Sequence, residues 1–286
     1  MPSTKLDSAA SPCAPIAIGA IGGSGTRVIS EAFRSLGVFM GSDLNSASDT
    51  LWFTLLFKRP EILDAGDEEF DLLTRALVAG LTGGRALPPN VEAQVRSLAT
   101  DDRPQATADW LQDRADSLMM AAASPPHGGA WGWKEPNTHL VVERLWKRIP
   151  DLRYVHVVRH GLDMALSSNQ NQPSLWGPKV LGGDGTMTPA RALAYWCWVQ
   201  RRTQRLLADN PDRMYWLDYD ALCREPERVL GDLLHFLGFD PLRARDLAAR
   251  IHPPKAPRHA TVPLTLFSAE DVDYVRSLGY SVSGDP

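Results

Sequence analysis

The stretch Ile21-Gly22-Gly23-Ser24-Gly25-Thr26-Arg27 follows a short apolar run and opens a helical pattern. Three glycines let backbone N–H groups turn inward, and a helix starting at Thr26 brings its positive end to the same spot. The residue types therefore fit an anion cradle, where a charge is worth about 0.3–1 kcal/mol, and up to ~2 when partly buried. A Walker A loop is excluded: with Gly25 as its second glycine, the first glycine position holds Ala20 and the lysine position holds Thr26. A tight strand–helix turn with no ligand would use the same residues.

Arg159 ends a β-rich run, Tyr154-Val-His-Val-Val158, and Ser167 stands eight positions further on, on the helix expected to follow. A guanidinium and a hydroxyl meeting on one phosphate make charge-assisted bonds of roughly 1.5–3 kcal/mol each. An Arg159–Asp163 pair across the turn is the structural alternative. Lys134, in Trp131-Gly-Trp-Lys134-Glu-Pro-Asn-Thr-His139, ends a short strand that faces the same edge. His139 has the chemistry of a base, although a lone histidine in a first helical turn more often serves as a structural bonding group. Tyr215-Trp-Leu-Asp-Tyr219-Asp-Ala-Leu222 reads as a strand, a loop and the approach to a core helix.

These residues need elements to hold them. Ile16 to Ile21 reads as a strand buried on both faces, and Val28, Ile29, Ala32, Phe33 and Leu36 share one face of the next helix, with Gly37 as its stop. From about 46 to 123 the apolar spacing is helical, broken at Pro60, Gly83-Gly84, Pro88-Pro89 and Pro104, and this stretch is expected to be a helical insertion. Further strands are expected at Trp131–Lys134, Tyr154–Val158 and Arg213–Leu217, and helices at Asn137–Arg148, from Leu162, from Thr188-Pro189 and from Glu225-Pro226 to near Gly238. Pro173 to Thr188 is rich in glycine and proline and is expected to be a mobile loop. Strands alternating with helices predict an α/β fold with a parallel sheet flanked by helices.

The 286 residues suit one large domain, expected at 16–286, behind a disordered tail at 1–15. A net charge of −4 argues against a broad nucleic-acid-binding face. Three scattered cysteines form neither a disulfide framework nor a CxxC metal site, which favours a reduced, cytoplasmic setting. No apolar run reaches the ~20 residues of a membrane span. The oligomeric state is not legible from the sequence.

Taken in order from residue 16 to about 240, the four motifs resemble the sulfotransferases that use 3′-phosphoadenosine 5′-phosphosulfate (PAPS). The resemblance implies a P-loop-NTPase-like sheet of the sulfotransferase type, with sulfuryl transfer to a small-molecule or glycan acceptor through a hydroxyl or amine. It implies that Gly23, Ser24, Gly25, Thr26 and Arg27 cradle the 5′-phosphosulfate, that Arg159 and Ser167 hold the 3′-phosphate, and that Tyr219 lies near the adenine. Lys134 would touch the transferring group. Gly23 departs from the family, which usually places Lys or Arg there; Arg27 is similar to an arginine of the heparan-modifying branch that would partly compensate. Pro136 falls where the cytosolic branch has a histidine. That branch's C-terminal phosphate motif is absent, and Lys255 and Arg258 are the nearest basic candidates.

Sulfuryl transfer needs in-line placement and charge stabilisation, and no metal is expected. Asp43, in Met40-Gly-Ser-Asp43, stands where other branches carry a carboxylate base; His139 and Glu31 are the other candidates, and a helix N-cap is the structural alternative for Asp43. Trp110, Trp176, Trp196 and Trp198 are candidate walls of an acceptor cleft. A nucleotide kinase of similar fold and a non-catalytic nucleotide-binding protein remain the alternative functions.

Overall fold

The computed structural model describes residues 14–103, 105–251 and 258–282. Most of the expected 1–15 tail, and Lys255, lie outside them. Four strands form one parallel sheet: β1 (Ile16–Ala20), β2 (Gly132–Lys134), β3 (Arg153–Val158) and β4 (Met214–Asp218), in the order β2-β1-β3-β4. β1 is buried at all five positions because the sheet is covered on both faces. Ile16, Ile18 and Ala20 pack with Val155, Val157 and Leu217 on one face. Ala17, Tyr154 and Val158 belong to the core of the other.

The first face is covered by α1 (Thr26–Ser35), through Ile29 and Phe33, and by a late helix, Pro226–Leu237, through Leu230, Leu233 and Leu234. Burial of each such side chain contributes about 1.5–3 kcal/mol. Between α1 and β2 come α2 (Leu51–Phe57), α3 (Asp67–Thr82), α4 (Pro89–Leu98) and α5 (Ala108–Ala123), with no strand among the described residues. They share the core of the second face, where Trp52, Phe53, Phe57 and Phe70 are fully or almost fully buried. After β2 comes α6 (Val142–Arg148); α7 (Gly161–Ala165), α8 (Asn171–Leu181) and α9 (Pro189–Asp209) link β3 to β4, and α10 (Tyr219–Arg224) follows β4. No helix among the described residues is long and apolar enough to cross a membrane.

Three local expectations are corrected. The Pro173–Thr188 stretch is not all loop: α8 occupies Asn171–Leu181 with Pro178 inside it, and the chain leaves the helix at Gly182, φ 72°. Pro173 falls in the first turn, where an amide N–H has no intrahelical partner to lose. Trp176, fully buried, fixes the helix by donating its indole N–H to Asn137 Oδ1 at 2.7 Å. The helix after β3 is a single short turn ending at Ala165, so Ser167 lies in the turn beyond it rather than on the helix. Asn137–Arg148 divides into a 3₁₀ turn at Pro136–Leu140 and α6.

Sheet order decides where a ligand would sit. The chain leaves β1 for β2 on one side, then crosses to β3 on the other. The crevice above the β1–β3 strand ends is the topological switch point, where open α/β sheets take their ligands.

Candidate active site

Two loops stand at that switch point: the glycine loop after β1 and Arg159 after β3. Gly23 and Gly25 have φ of 96° and 93°, the left-handed region that only glycine enters without strain. Gly25 is the N-cap of α1 and brings no side chain to satisfy the first-turn N–H groups; Val28 N donates to the Gly25 carbonyl at 3.1 Å, and the amides of Thr26 and Arg27 face outward for an anion. A Cβ at Gly25 would lie 2.2 Å from the Tyr219 ring, so Tyr219 packs directly on the loop. A Cβ at Gly23 would come within 3.8 Å of Ser167 Oγ and 3.6 Å of Met164 Cε. Ser24 is buried beneath, its hydroxyl 3.8 Å from Met164 Sδ.

Arg159 reaches into this group. Its Nη1 donates a long bond, 3.4 Å, to the Gly23 carbonyl, and its guanidinium lies 5.5 Å from the Tyr219 ring centre. Its Nε is buried without a hydrogen-bond partner among the described residues. The guanidinium is therefore held by one weak bond and a ring face. Burial pushes the Tyr219 hydroxyl up. Asp163, the alternative partner weighed for Arg159, bonds His259 Nδ1 at 2.8 Å. Thr26 is buried in the first turn of α1, whereas Arg27 is exposed and lies 3.9 Å from Glu31. Arg258 opens a short 3₁₀ turn, Arg258–Thr261.

Lys134 is placed differently. It is only 2% exposed, and its ammonium bonds the Ala47 carbonyl at 2.7 Å and ion-pairs with Asp49. Asp49 is carried by a loop that folds across the outer edge of β2: Thr50 N donates to the Lys134 carbonyl at 2.7 Å, and Lys134 N to Thr50 Oγ1 at 3.2 Å. Asn45 Oδ1 accepts the amides of Ala47 and Asp49, and its Nδ2 donates to Asp49 Oδ2 at 2.8 Å. Ser48, in the same loop, is the one non-glycine residue with positive φ (63°) among the described residues. Such strain persists where surrounding contacts enforce it.

The expected bases fare unevenly. His139 is fully buried, with neither ring nitrogen in a well-formed hydrogen bond among the described residues, although Gln172 acts on the ring and pulls its pKa up. Burial holds it neutral, well below the usual imidazole range, and His156 and Arg202 push the same way. His139 thus lies in the core of the structure. Asp43 caps no helix, since Thr50 takes the N-cap of α2. It ion-pairs with Arg114, whose Nε lies 2.6 Å away, and accepts from Ser117 Oγ at 2.8 Å. Glu31 is an exposed partner of Arg27.

Beside the Lys134–Asp49 pair lies a cleft of about 330 Å³, walled by Leu51, Ala106, Trp110 and Leu175 and edged by Lys58, Arg59, Glu61 and Arg103, with Asp49 among its lining residues. Of the four tryptophans considered as walls, Trp110 lines it, while Trp176 and Trp196 are in the core. Asp49 was not among the sequence candidates. The available signal was Asn45 four residues ahead in a serine-rich stretch, a spacing that suits an Asx turn.

The chain resembles solved sulfotransferases. One from Mycobacterium avium, STF9, is 17% identical over 96% of this chain and 79% of its own, with a TM-score of 0.47. The sulfotransferase domain of the curacin biosynthetic pathway is 17% identical over 95% of this chain and 99% of its own, TM-score 0.46. A sulfotransferase from Alicyclobacillus acidocaldarius is 14% identical over 94% and 96%, TM-score 0.45. No curated protein matches the chain. The family comparison is decisive because its match spans most of the chain: over residues 15–242, this chain belongs to the sulfotransferase family.

Proposed function

We propose that this sulfotransferase takes its sulfuryl group from PAPS and delivers it to a hydroxyl- or amine-bearing acceptor, a small molecule or glycan. The observation that carries the reading is the meeting of Gly23, Gly25, Arg159, Ser167 and Tyr219 at the switch point, although 194 positions separate Gly25 from Tyr219. The residues fit the donor. The N-terminal N–H groups of α1, with Gly23 to Arg27, would hold the 5′-phosphosulfate. Arg159, weakly tied, has donors to spare for a 3′-phosphate that Ser167 would share. Tyr219 offers a ring beside them for the adenine.

PAPS supplies an activated sulfuryl group when bound. The chain's part is to align it, stabilise charge on the leaving oxygen and accept the acceptor's proton. Lys134 is the cation for the second task, and it must leave Asp49 to perform it. Gly23 supplies no cation where relatives have one, so Lys134 and Arg27 carry that charge here.

The test is incubation of the full chain and an acceptor panel with radiosulfur-labelled PAPS, beside a parallel arm with ATP and Mg²⁺. Label appearing on an acceptor, undiminished by EDTA, is expected. Transfer from ATP but not from PAPS would replace this reading with a kinase, and tight nucleotide binding with no transfer would replace it with a binding protein.

A further inference from the structure

We infer that the cleft beside Lys134 is the acceptor site, that it takes a small, uncharged, hydroxyl-bearing molecule with a flat apolar body, and that Asp49 receives the acceptor's proton. The inference rests on the PAPS reading above.

Asp49 is where the two halves of the chemistry meet. One of its carboxylate oxygens holds Lys134 and the other accepts from Asn45 Nδ2, and the residue lines the cleft. Lys134 lies in a β2 strand paired directly with β1, in register with Ile18, just before the glycine loop. A carboxylate paired with the cation that must act on the leaving oxygen is placed to be released by that action. When Lys134 turns to the donor, Asp49 loses its counter-charge and gains the capacity to accept a proton. Asp43, tied to Arg114 and Ser117, has no such link to Lys134.

The cleft's lining selects the acceptor. Leu51, Ala106, Trp110 and Leu175 give apolar walls, and about 330 Å³ lies at the small-molecule end of ligand pockets. Its two arginines are already engaged: Arg59 pairs with Glu69, and Arg103 bonds Asp101 and the Thr54 carbonyl. Lys58 faces the buried Glu135, whose carboxyl it pulls down against the larger upward push of burial. Glu61 and Asp102 stand at the exposed edge, where Glu61 acts through space on Arg103 and Lys179, so an anionic acceptor would meet no cation there without a carboxylate beside it. The ledger favours a neutral body with one hydroxyl over a sulfated glycan.

In the step itself, a lone pair of the acceptor oxygen forms the new O–S bond as the bond from sulfur to the 5′-phosphate oxygen breaks. The leaving electron pair stays on that oxygen, giving 3′-phosphoadenosine 5′-phosphate (PAP), and the hydroxyl proton passes to an Asp49 oxygen and then to water. Lys134 stabilises the departing charge.

The experiment uses the full chain with PAPS, naphthol as the small acceptor and a heparin-derived polysaccharide as the anionic one, with PAP binding measured separately. Naphthol should be sulfated and the polysaccharide should not. Asp49→Asn should lower kcat by ~10²-fold or more with PAP affinity within about threefold of wild type, and Trp110→Ala should raise the naphthol KM about tenfold at near-normal kcat. Because Asp49→Asn leaves Lys134 buried without its partner, Asp49→Glu serves as the second variant. It keeps the charge but shifts the carboxylate by a methylene, and should fold normally while losing most of its kcat. Near-normal kcat in a folded Asp49→Asn or Asp49→Glu protein overturns the proton-acceptor role. Sulfation of the polysaccharide with none of naphthol, or no transfer to naphthol at all, overturns the acceptor class. If wild-type chain fails to bind PAP, the donor reading falls and takes this one with it; intact PAP binding with intact variant turnover removes this one alone.

Discussion

At the β1–β3 edge the groups that face an anion are backbone amides, a ring and a guanidinium held by one 3.4 Å bond. At the β1–β2 edge the charged side chains already have partners: Lys134 with Asp49, and Asp43 with Arg114 and Ser117. The first edge is pre-organised, so a phosphate would enter without displacing an ion pair. The second is closed on itself, and on the proposed reading chemistry there would require an ion-pair exchange. A sulfuryl donor would supply that exchange by offering Lys134 a competing negative charge. Turnover, unlike nucleotide binding, should therefore depend on residues that make no contact with the nucleotide in the resting protein.

The largest expected effect lies on the closed edge. Lys134→Ala should lower kcat by roughly 10²–10³-fold, the range for losing one charge-stabilising donor, with PAP affinity within about threefold. Kinetics beside PAP titration calorimetry would show it. Weak PAP binding with normal turnover would move Lys134 to the pre-organised edge as a phosphate anchor.

Gly25→Ala strikes the open edge. The added Cβ meets the Tyr219 ring at 2.2 Å in a backbone with φ 93°, a conformation that L residues rarely adopt. A left-handed penalty of about 1–2 kcal/mol and overpacking of about 1–3 kcal/mol drive the variant loop out of this conformation, and restoring it to bind PAP should lower the affinity by roughly 30-fold or more. An unchanged dissociation constant would show that the loop is a turn without a ligand.

Asp43→Asn separates a structural ion pair from a catalytic carboxylate. Loss of the charge facing Arg114 should cost roughly 1.5–3 kcal/mol of stability, read as a lower Tm, with kcat changing less than about threefold. Collapse of turnover at unchanged Tm would return the proton-accepting role to Asp43.

The smallest effect concerns the core behind the sheet. Burial pushes the His156 imidazole down to about 3, against the raising effect of its hydrogen bond to Gln200 Oε1. Its folded pKa is below its unfolded value of ~6.5, so on acidification the unfolded chain takes up a proton first. Stability from this group is complete above ~6.5 and is lost as pH falls toward about 3. The change should be about 2 kcal/mol between about pH 7 and about pH 5. Denaturant melts of wild type and His156→Gln should show a shallower pH slope in the variant; identical slopes would place the acid sensitivity elsewhere.

What could be read from the sequence follows from how local each signal is. The glycine loop, Arg159 and Tyr219 were legible because each sits next to a strand end, and a parallel sheet brings strand ends to one edge; Ser167 lies beyond the short helix after β3 and was legible only through its spacing from Arg159. Lys134 was legible as a position but not as half of a pair, since Asp49 lies 85 residues away on a loop that crosses β2. The burial of His139 and the helix within Pro173–Thr188 were illegible for the same reason. Complete burial of an imidazole, and of Trp176 on α8, is a tertiary fact that spacing does not carry. The proline and glycine content that suggested a loop is local, and the packing of Trp176 overrides it.

On the proposed reading, the open edge takes a nucleotide bearing a 3′-phosphate. Isothermal titration of PAP and of ADP into wild type and Arg159→Ala tests it most directly. PAP should bind wild type at least ~10-fold more tightly than ADP, and Arg159→Ala should lose roughly 1.5–3 kcal/mol of PAP affinity while leaving ADP nearly unchanged. Equal affinities for PAP and ADP in wild type, or an equal loss of both in the variant, would contradict the account.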